Sequence, residues 1–280
     1  MNPTLRAARL GLSRGWIEFK QSLRNSQDIS WNIGVAVIIL AVLWWQRGSE
    51  VNGVSLALLT LPSLLGMGIA NGGFVGAAGT LSYDREDGTL LRAKAVPQGM
   101  VGYLFSRLVT ITLTTLMSFI IILPAVFFID GLTIDGFGVV TLIWIFFLGL
   151  LATAPWGAIV GSLVKNSTSG WGLTFMPMVA LVAISGIFYP ITALAGWIQF
   201  IAQLFPVYWL GLGARSIFLP DSAAANELGG SWQLPIVALV LTAWAIVGTI
   251  IALRVMKRMA RRESGSNVEK RRQEVMQRGY

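Results

Sequence analysis

Apolar residues along this chain come in long blocks separated by short polar breaks, and the block lengths predict six membrane-spanning helices. A helix rises 1.5 Å per residue, so a hydrocarbon core of about 30 Å takes about 20 apolar residues to cross. The blocks fall at Ile29–Gln46, Ser55–Leu81, Met100–Ile129, Phe137–Val164, Trp171–Tyr189 and Gln233–Leu253. The first is short and the third long, which calls for tilt or overhang. Residues 1–28 follow a different rhythm. Leu5, Ala8, Leu12, Trp16, Phe19 and Leu23 recur every three or four residues, with Arg6, Arg9, Lys20 and Arg24 off that stripe. This is the pattern of an amphipathic helix lying in the membrane interface. It serves equally as an anchor or as a lever touching a cytoplasmic partner. No compact apolar segment of the kind found in cleaved signal peptides is expected there.

Between the fifth and sixth blocks, residues 190–232 are apolar but broken by Pro190, Pro206 and Pro220 and by several glycines. Proline removes a backbone donor and interrupts helices. Two short helices that enter the outer leaflet and return fit this stretch better than a seventh span. Irregular backbone at that depth requires cover from protein or a water-filled cavity. Within the second block, Gly68, Gly72 and Gly76 recur every four residues. Small residues at that spacing let helices approach closely, whether inside one subunit, between subunits or at a hinge.

Composition agrees with the pattern. The chain is 55% hydrophobic and only 12% charged, against about 25% charged in a soluble domain. The fold class predicted is therefore an all-α polytopic membrane protein. Its parts are an interfacial helix at 1–28, a six-span domain at 29–254 and a basic tail at 255–280. The absence of Cys and His removes disulfides, thiolate and imidazole metal ligands and the usual proton relay.

The net charge of +8 reads as orientation. Nineteen of the 21 Lys and Arg residues lie before the first span, between spans two and three or at the start of span three (Arg107), between spans four and five, or in the tail. Only Arg47 and Arg215 fall on the other side. Basic residues stay cytoplasmic, so both termini face the cytoplasm of a plasma (inner) membrane. The excess positive charge then attracts anionic lipid and is no nucleic-acid footprint. The tail from residue 255 onward is read as solvated or bound to lipid headgroups, with ATPase contact as the alternative.

The spans carry no clear acidic residue at mid-depth, where ion-coupled carriers place one. The dipeptide Gly-Lys of a phosphate-binding loop never occurs. No convergent acid, base and nucleophile suggests an enzyme. Any active transport must draw energy from another polypeptide.

One polar break stands apart. Residues 82–97 read SYDREDGTLLRAKAVP and contain six charges: Asp84, Arg85, Glu86, Asp87, Arg92 and Lys94. Orientation needs no acidic residues, so the loop is expected to dock something. A short helix capped by Thr89 and reaching past Arg92 is predicted to project from the membrane. The run Arg85-Glu86-x-Gly88-Thr89-Leu90 followed by Pro97 resembles the cytoplasmic loop of ABC-2-type transporter permeases. That family's pattern is approximately Glu-Arg-Glu-x-Gly-Thr-Leu-Glu and then Thr-Pro, with departures here at Asp84, Leu91 and Val96. The stretch Ser185-Gly186-Ile187-Phe188-Tyr189-Pro190, then Trp197-Ile198-Gln199, Phe205-Pro206 and Arg215, is similar to the end of span five and the re-entrant region of drug-exporter members, in which Trp209 stands where a small polar residue is frequent.

The resemblance implies a permease subunit that pairs with a second permease, as homodimer or heterodimer, and docks a cytoplasmic ABC ATPase subunit. ATP and Mg would be bound in that ATPase, with no cofactor in this chain. Asp84, Arg85, Glu86, Gly88, Thr89 and Arg92 would couple to the ATPase. Phe188, Tyr189 and Trp197 would lie near the outer end of the translocation path, or form an interfacial aromatic belt. The cargo expected is an amphipathic drug, antibiotic or lipid. A lipid-linked polysaccharide and a non-transporting sensor or scaffold are the rivals.

Overall fold

A computed structural model describes residues 3–51, 54–122, 134–164, 167–187 and 190–262. The architecture is all-α, apart from a two-residue antiparallel ladder that joins Glu50–Val51 to Val54–Ser55. In chain order the helices are α1 (Pro3–Ser22), α2 (Ser26–Gln46), α3 (Leu56–Glu86), α4 (Thr89–Lys94), α5 (Gly99–Ile122), α6 (Gly136–Leu163), α7 (Ser167–Ile184), α8 (Gly196–Leu204), α9 (Pro206–Phe218) and α10 (Leu234–Arg262).

Four of these are long and apolar enough to cross a membrane: α3, α5, α6 and α10 as far as Met259. The first and fifth expected spans are helical, as α2 and α7. Their apolar stretches Asn32–Gln46 and Gly172–Ile184 are shorter than a full crossing requires. The part of the third expected span beyond Ile122 lies outside the described residues.

Most hydroxyl groups inside the apolar helices find a backbone acceptor, the buried Thr141 hydroxyl of α6 being an exception. Thr60, Ser63, Ser82, Thr114, Ser118 and Thr153 each donate to the carbonyl four residues back. The side chain therefore brings its own partner into the membrane. At the start of α6, Asp135 accepts from the Gly138 amide at 2.6 Å and caps the helix.

The core is α3 clasped by α6, and glycines set their separation. A Cβ added at Gly161 would stand 2.6 Å from the Ala78 carbonyl oxygen. One added at Gly157 would strike the Phe74 carbonyl, and one at Gly73 the Thr153 hydroxyl. The Gly68–Gly72–Gly76 series divides its work. Gly68 receives the Phe119 ring and Gly72 receives Thr115, both from α5, whereas Gly76 meets no other helix within 4 Å. Its first two members thus pack inside the chain.

The proline-broken stretch forms two short helices, α8 and α9, with their corner at Phe205-Pro206. Nearly every residue of α9 is buried. Its middle seats Leu210 and Gly211 against Gly66 of α3, and Ile217 reaches Gly138 near the start of α6. The corner itself lies against α10. Phe205 packs on Trp244, with ring centroids 5.7 Å apart. Trp244 stands ten residues into α10, or about 15 Å along its axis.

A chain break at that depth leaves the last carbonyls of α8 without helical donors. Indoles supply them. Trp209 Nε1 donates to the Gln203 carbonyl at 2.8 Å, and Trp244 Nε1 donates to the Leu204 carbonyl at 2.9 Å. The carbonyl of Trp244 in turn accepts from Trp156 Nε1 at 3.2 Å.

Candidate functional site

The charged loop is only partly a loop. The second span was expected to end at Leu81, yet α3 continues to Glu86, because its last turn finds partners. Asp84 is buried. Its carboxylate accepts from the Tyr103 hydroxyl at 2.7 Å and pairs with Arg107 Nε at 2.7 Å and Nη2 at 2.8 Å. Both partners lie on α5. Arg85 extends the other way. Its Nη1 donates to the carbonyls of Gly161, Ser162 and Val164 at 3.2, 2.8 and 2.8 Å. These groups end α6 and would otherwise lack donors. A cation at a helix C-terminus is also favoured by the helix dipole.

The capping expectation is corrected at the next turn. Thr89 is the first residue of α4, and its amide and hydroxyl both donate to the Asp87 carboxylate, at 2.7 and 2.8 Å. Gly88 sits between them at φ 79°, a left-handed conformation open to glycine without strain. Arg92 Nη2 donates to the Thr89 hydroxyl at 2.8 Å. The loop is thus a fixed unit: an Asp87 cap, a glycine turn and one and a half turns of helix.

Nor does α4 project freely. Leu90 and Ala93 share one face and join Leu81, Tyr103 and Met256 in a second apolar core, flanked by Met100, Leu104, Ala158 and Met259. That core ties α4 to the ends of α3, α5, α6 and α10. Arg92 and Lys94 lie on the exposed side.

Helix α1 reaches the same place. It runs alongside the first half of α5 in the same direction, Ala7 and Gly11 against Gly102 and Gly15 against Ser106 and Val109. A Cβ at Gly15 would stand 2.7 Å from the Ser106 carbonyl oxygen. At the end of this seam Glu18 pairs with Arg107 Nη1 at 3.0 Å and accepts from the hydroxyls of Ser106 and Thr110 at 3.1 and 3.3 Å. Arg107 therefore bridges Glu18 of α1 and Asp84 of α3. The expected apolar stripe faces away from this seam, with Leu5, Leu12, Trp16 and Leu23 all exposed.

A cleft of about 370 Å³ opens between α1, α4 and α5, lined by Gly11, Arg14, Arg92, Pro97, Gly102 and Tyr103 among others, with no acidic side chain among the described residues.

The structure gathers Asp84, Arg85, Gly88, Thr89 and Arg92 within one end of the bundle and divides their duties. Asp84 and Arg85 hold the helices, Gly88 and Thr89 shape the turn, and Arg92 faces out. Glu86 closes α3 and is half-buried. Of the second expected group, Trp197 alone lies among the described residues. Trp197 is 68% exposed on α8, on the same outward side as Phe200 and Leu204, while Phe188 and Tyr189 lie outside the described residues. Sequence reasoning missed Glu18, Tyr103 and Arg107 as a set. Two signals pointed there: Glu18 is the one acidic residue among the first 27, and Arg107 falls well inside an expected span, where a charge needs a partner.

Comparison with known families adds one match. A family model described as "ABC-2 family transporter protein" matches residues 9–254, from within α1 through most of α10. No curated protein sequence matches the chain.

Proposed function

The chain belongs to the ABC-2 transporter family, and from that premise we propose that it is the permease subunit of an ATP-driven exporter, moving an amphipathic compound outward. The family places it as the membrane component of an ABC transporter, a transport domain that carries no ATPase of its own. The partner proposed is a separate cytoplasmic ABC ATPase, which binds ATP and Mg. A second permease subunit completes the translocation path.

The observation that carries this reading is the joint at the α4 end. A short, capped helix with Arg92 and Lys94 outward is wedged by Leu90 against four long helices. Force applied to α4 passes through contacts that are stiff on the scale of a packed core. Asp84 and Arg107 then link it to α1. In the proposed complex α4 is the element the ATPase pushes, and α1 moves with it.

The distribution of Lys and Arg supports a cytoplasmic α4 end and cytoplasmic termini. The proline corner between α8 and α9 supports a re-entrant hairpin from the opposite side, with its backbone carbonyls taken up by indoles. Six crossings result when α2 and α7 span with help from flanking residues.

Two steps test the proposal. The chain is expected to co-purify in detergent with an ABC ATPase encoded in the same genome, and inside-out vesicles holding both are expected to accumulate amphipathic dyes only when ATP is supplied. A chain that binds no such ATPase overturns the reading and favours a sensor or scaffold.

A further inference from the structure

The far end of the bundle holds a second buried ion pair. Arg215, near the end of α9, is 6% exposed. Its Nε donates to Glu227 Oε1 at 2.6 Å and its Nη2 to Oε2 at 3.1 Å, a two-pronged contact. Its Nη1 donates to the Gly186 carbonyl at 3.3 Å, just past the end of α7. One guanidinium thus ties together α9, the end of α7 and the segment 219–233 that leads to α10. Gly211 makes this possible. A Cβ there would stand 3.1 Å from Arg215 Nη1 and 3.0 Å from Ile187, so a larger residue would crowd the slot in which the guanidinium lies.

The segment 219–233 is a strap. It consists of two short 3-10 turns, Asp221–Asn226 and Leu228–Gly230, with Glu227 between them. Ala223, Leu228 and Trp232 press into the main core from the far end, and Ala224 is buried. The strap closes on itself through Trp232 Nε1, which donates to Asp221 at 3.1 Å, and through Gln233, which donates to the Leu228 carbonyl. Its joints are Gly229, Gly230 and Gln233, all at positive φ. Glu227 supplies its charged tie to α9 and the end of α7, beside a long hydrogen bond of 3.5 Å from the Thr192 hydroxyl to the Asn226 carbonyl.

Desolvating a guanidinium and a carboxylate is costly, and apolar packing would hold the same segments at least as well. A buried pair has a different virtue, since it trades one set of polar partners for water in a single step. We infer that Arg215 and Glu227 form a latch that holds the strap shut over the ends of α7 and α9, and that it opens when ATP acts at the α4 end. This inference rests on the permease reading above, since it takes ATP as the opening force. The latch makes release at the far end conditional on the motion of α9, which packs along α3 and α6, the helices whose other ends Arg85 joins.

The chain has no cysteine, so Ala224→Cys introduces a single thiol under the strap. The complex of this variant with its ATPase, in proteoliposomes, is labelled with a membrane-impermeant maleimide with and without ATP. Labelling is expected to be slow without ATP and at least fivefold faster with it. Adding Glu227→Gln, or Arg215→Lys where that variant inserts poorly, is expected to give fast labelling in both conditions. If the ATPase is bound but labelling is unaffected by ATP, the pair is a static clamp and the latch is wrong. Slow labelling of the Gln variant contradicts it equally. Absence of the ATPase from the purified chain removes the permease reading and the latch together, so the two failures are told apart by what co-purifies.

Discussion

Single residues at the α4 end do work that their type alone does not announce. Arg107 neutralises two carboxylates from different helices. Arg107→Met would leave Asp84 buried without its cation and Glu18 paired with the half-exposed Arg14, and breaking a buried pair by removing one partner costs about 3–5 kcal/mol. The melting temperature in detergent should therefore fall clearly, and Asp84→Asn combined with Glu18→Gln should restore part of it. The neighbouring Arg14–Glu18 contact, 2.8 Å long but half-exposed on the arginine side, is a poor target, because surface i,i+4 pairs are worth about 0.3–0.5 kcal/mol. At mid-depth, Trp244→Phe keeps the ring and removes the donor to the Leu204 carbonyl. Losing this hydrogen bond should cost about 0.5–1.5 kcal/mol, read as faster proteolysis at the α8–α9 corner with little change in insertion. The sequence held limited clues to these groups. Asp84 and Arg85 were visible as charges in a loop, but Arg107 is 23 residues from Asp84 and Glu18 another 66 away, and no periodicity relates positions so far apart.

Elements were more legible, and the misses have a common cause. Apolar blocks located the long helices, because crossing length is a property of one segment. Pro206 located the corner between α8 and α9 for the same reason. The partners of each element are a property of two segments. In α1 the apolar stripe was evident, but the side that packs on α5 is the glycine side, Gly11 and Gly15. Glycines carry no hydrophobic signal, so the packed face escaped notice and the exposed one stood out. The same logic extended α3 past Leu81, since its charged final turn is stabilised by partners on α5 and α6 that are distant in the sequence. Gly15→Val tests the seam directly. It should separate α1 from α5, raise hydrogen exchange along α1 and leave the α3–α6 core protected. Gly157→Leu should do the reverse, destabilising the whole bundle, because its side chain would meet the Phe74 backbone.

At the scale of the molecule, the chain is a bundle with a fixed joint at one end and a strapped end at the other, linked by α3, α6 and α9. Such a design suits a subunit that receives force at α4 and changes access elsewhere. The structural duties of Asp84 and Arg85 make them poor probes of docking, because their loss perturbs the bundle whether or not a partner binds there. Arg92 and Lys94 are better, being exposed and outside both cores. The most direct measurement is co-purification of the ABC ATPase with wild-type chain and with the double variant Arg92→Glu, Lys94→Glu, each checked for an unchanged melting temperature. The account predicts that the wild type retains the ATPase and that the variant loses at least nine-tenths of it while remaining folded. Equal retention by both chains would contradict docking at α4 and would place the coupling surface elsewhere on the protein.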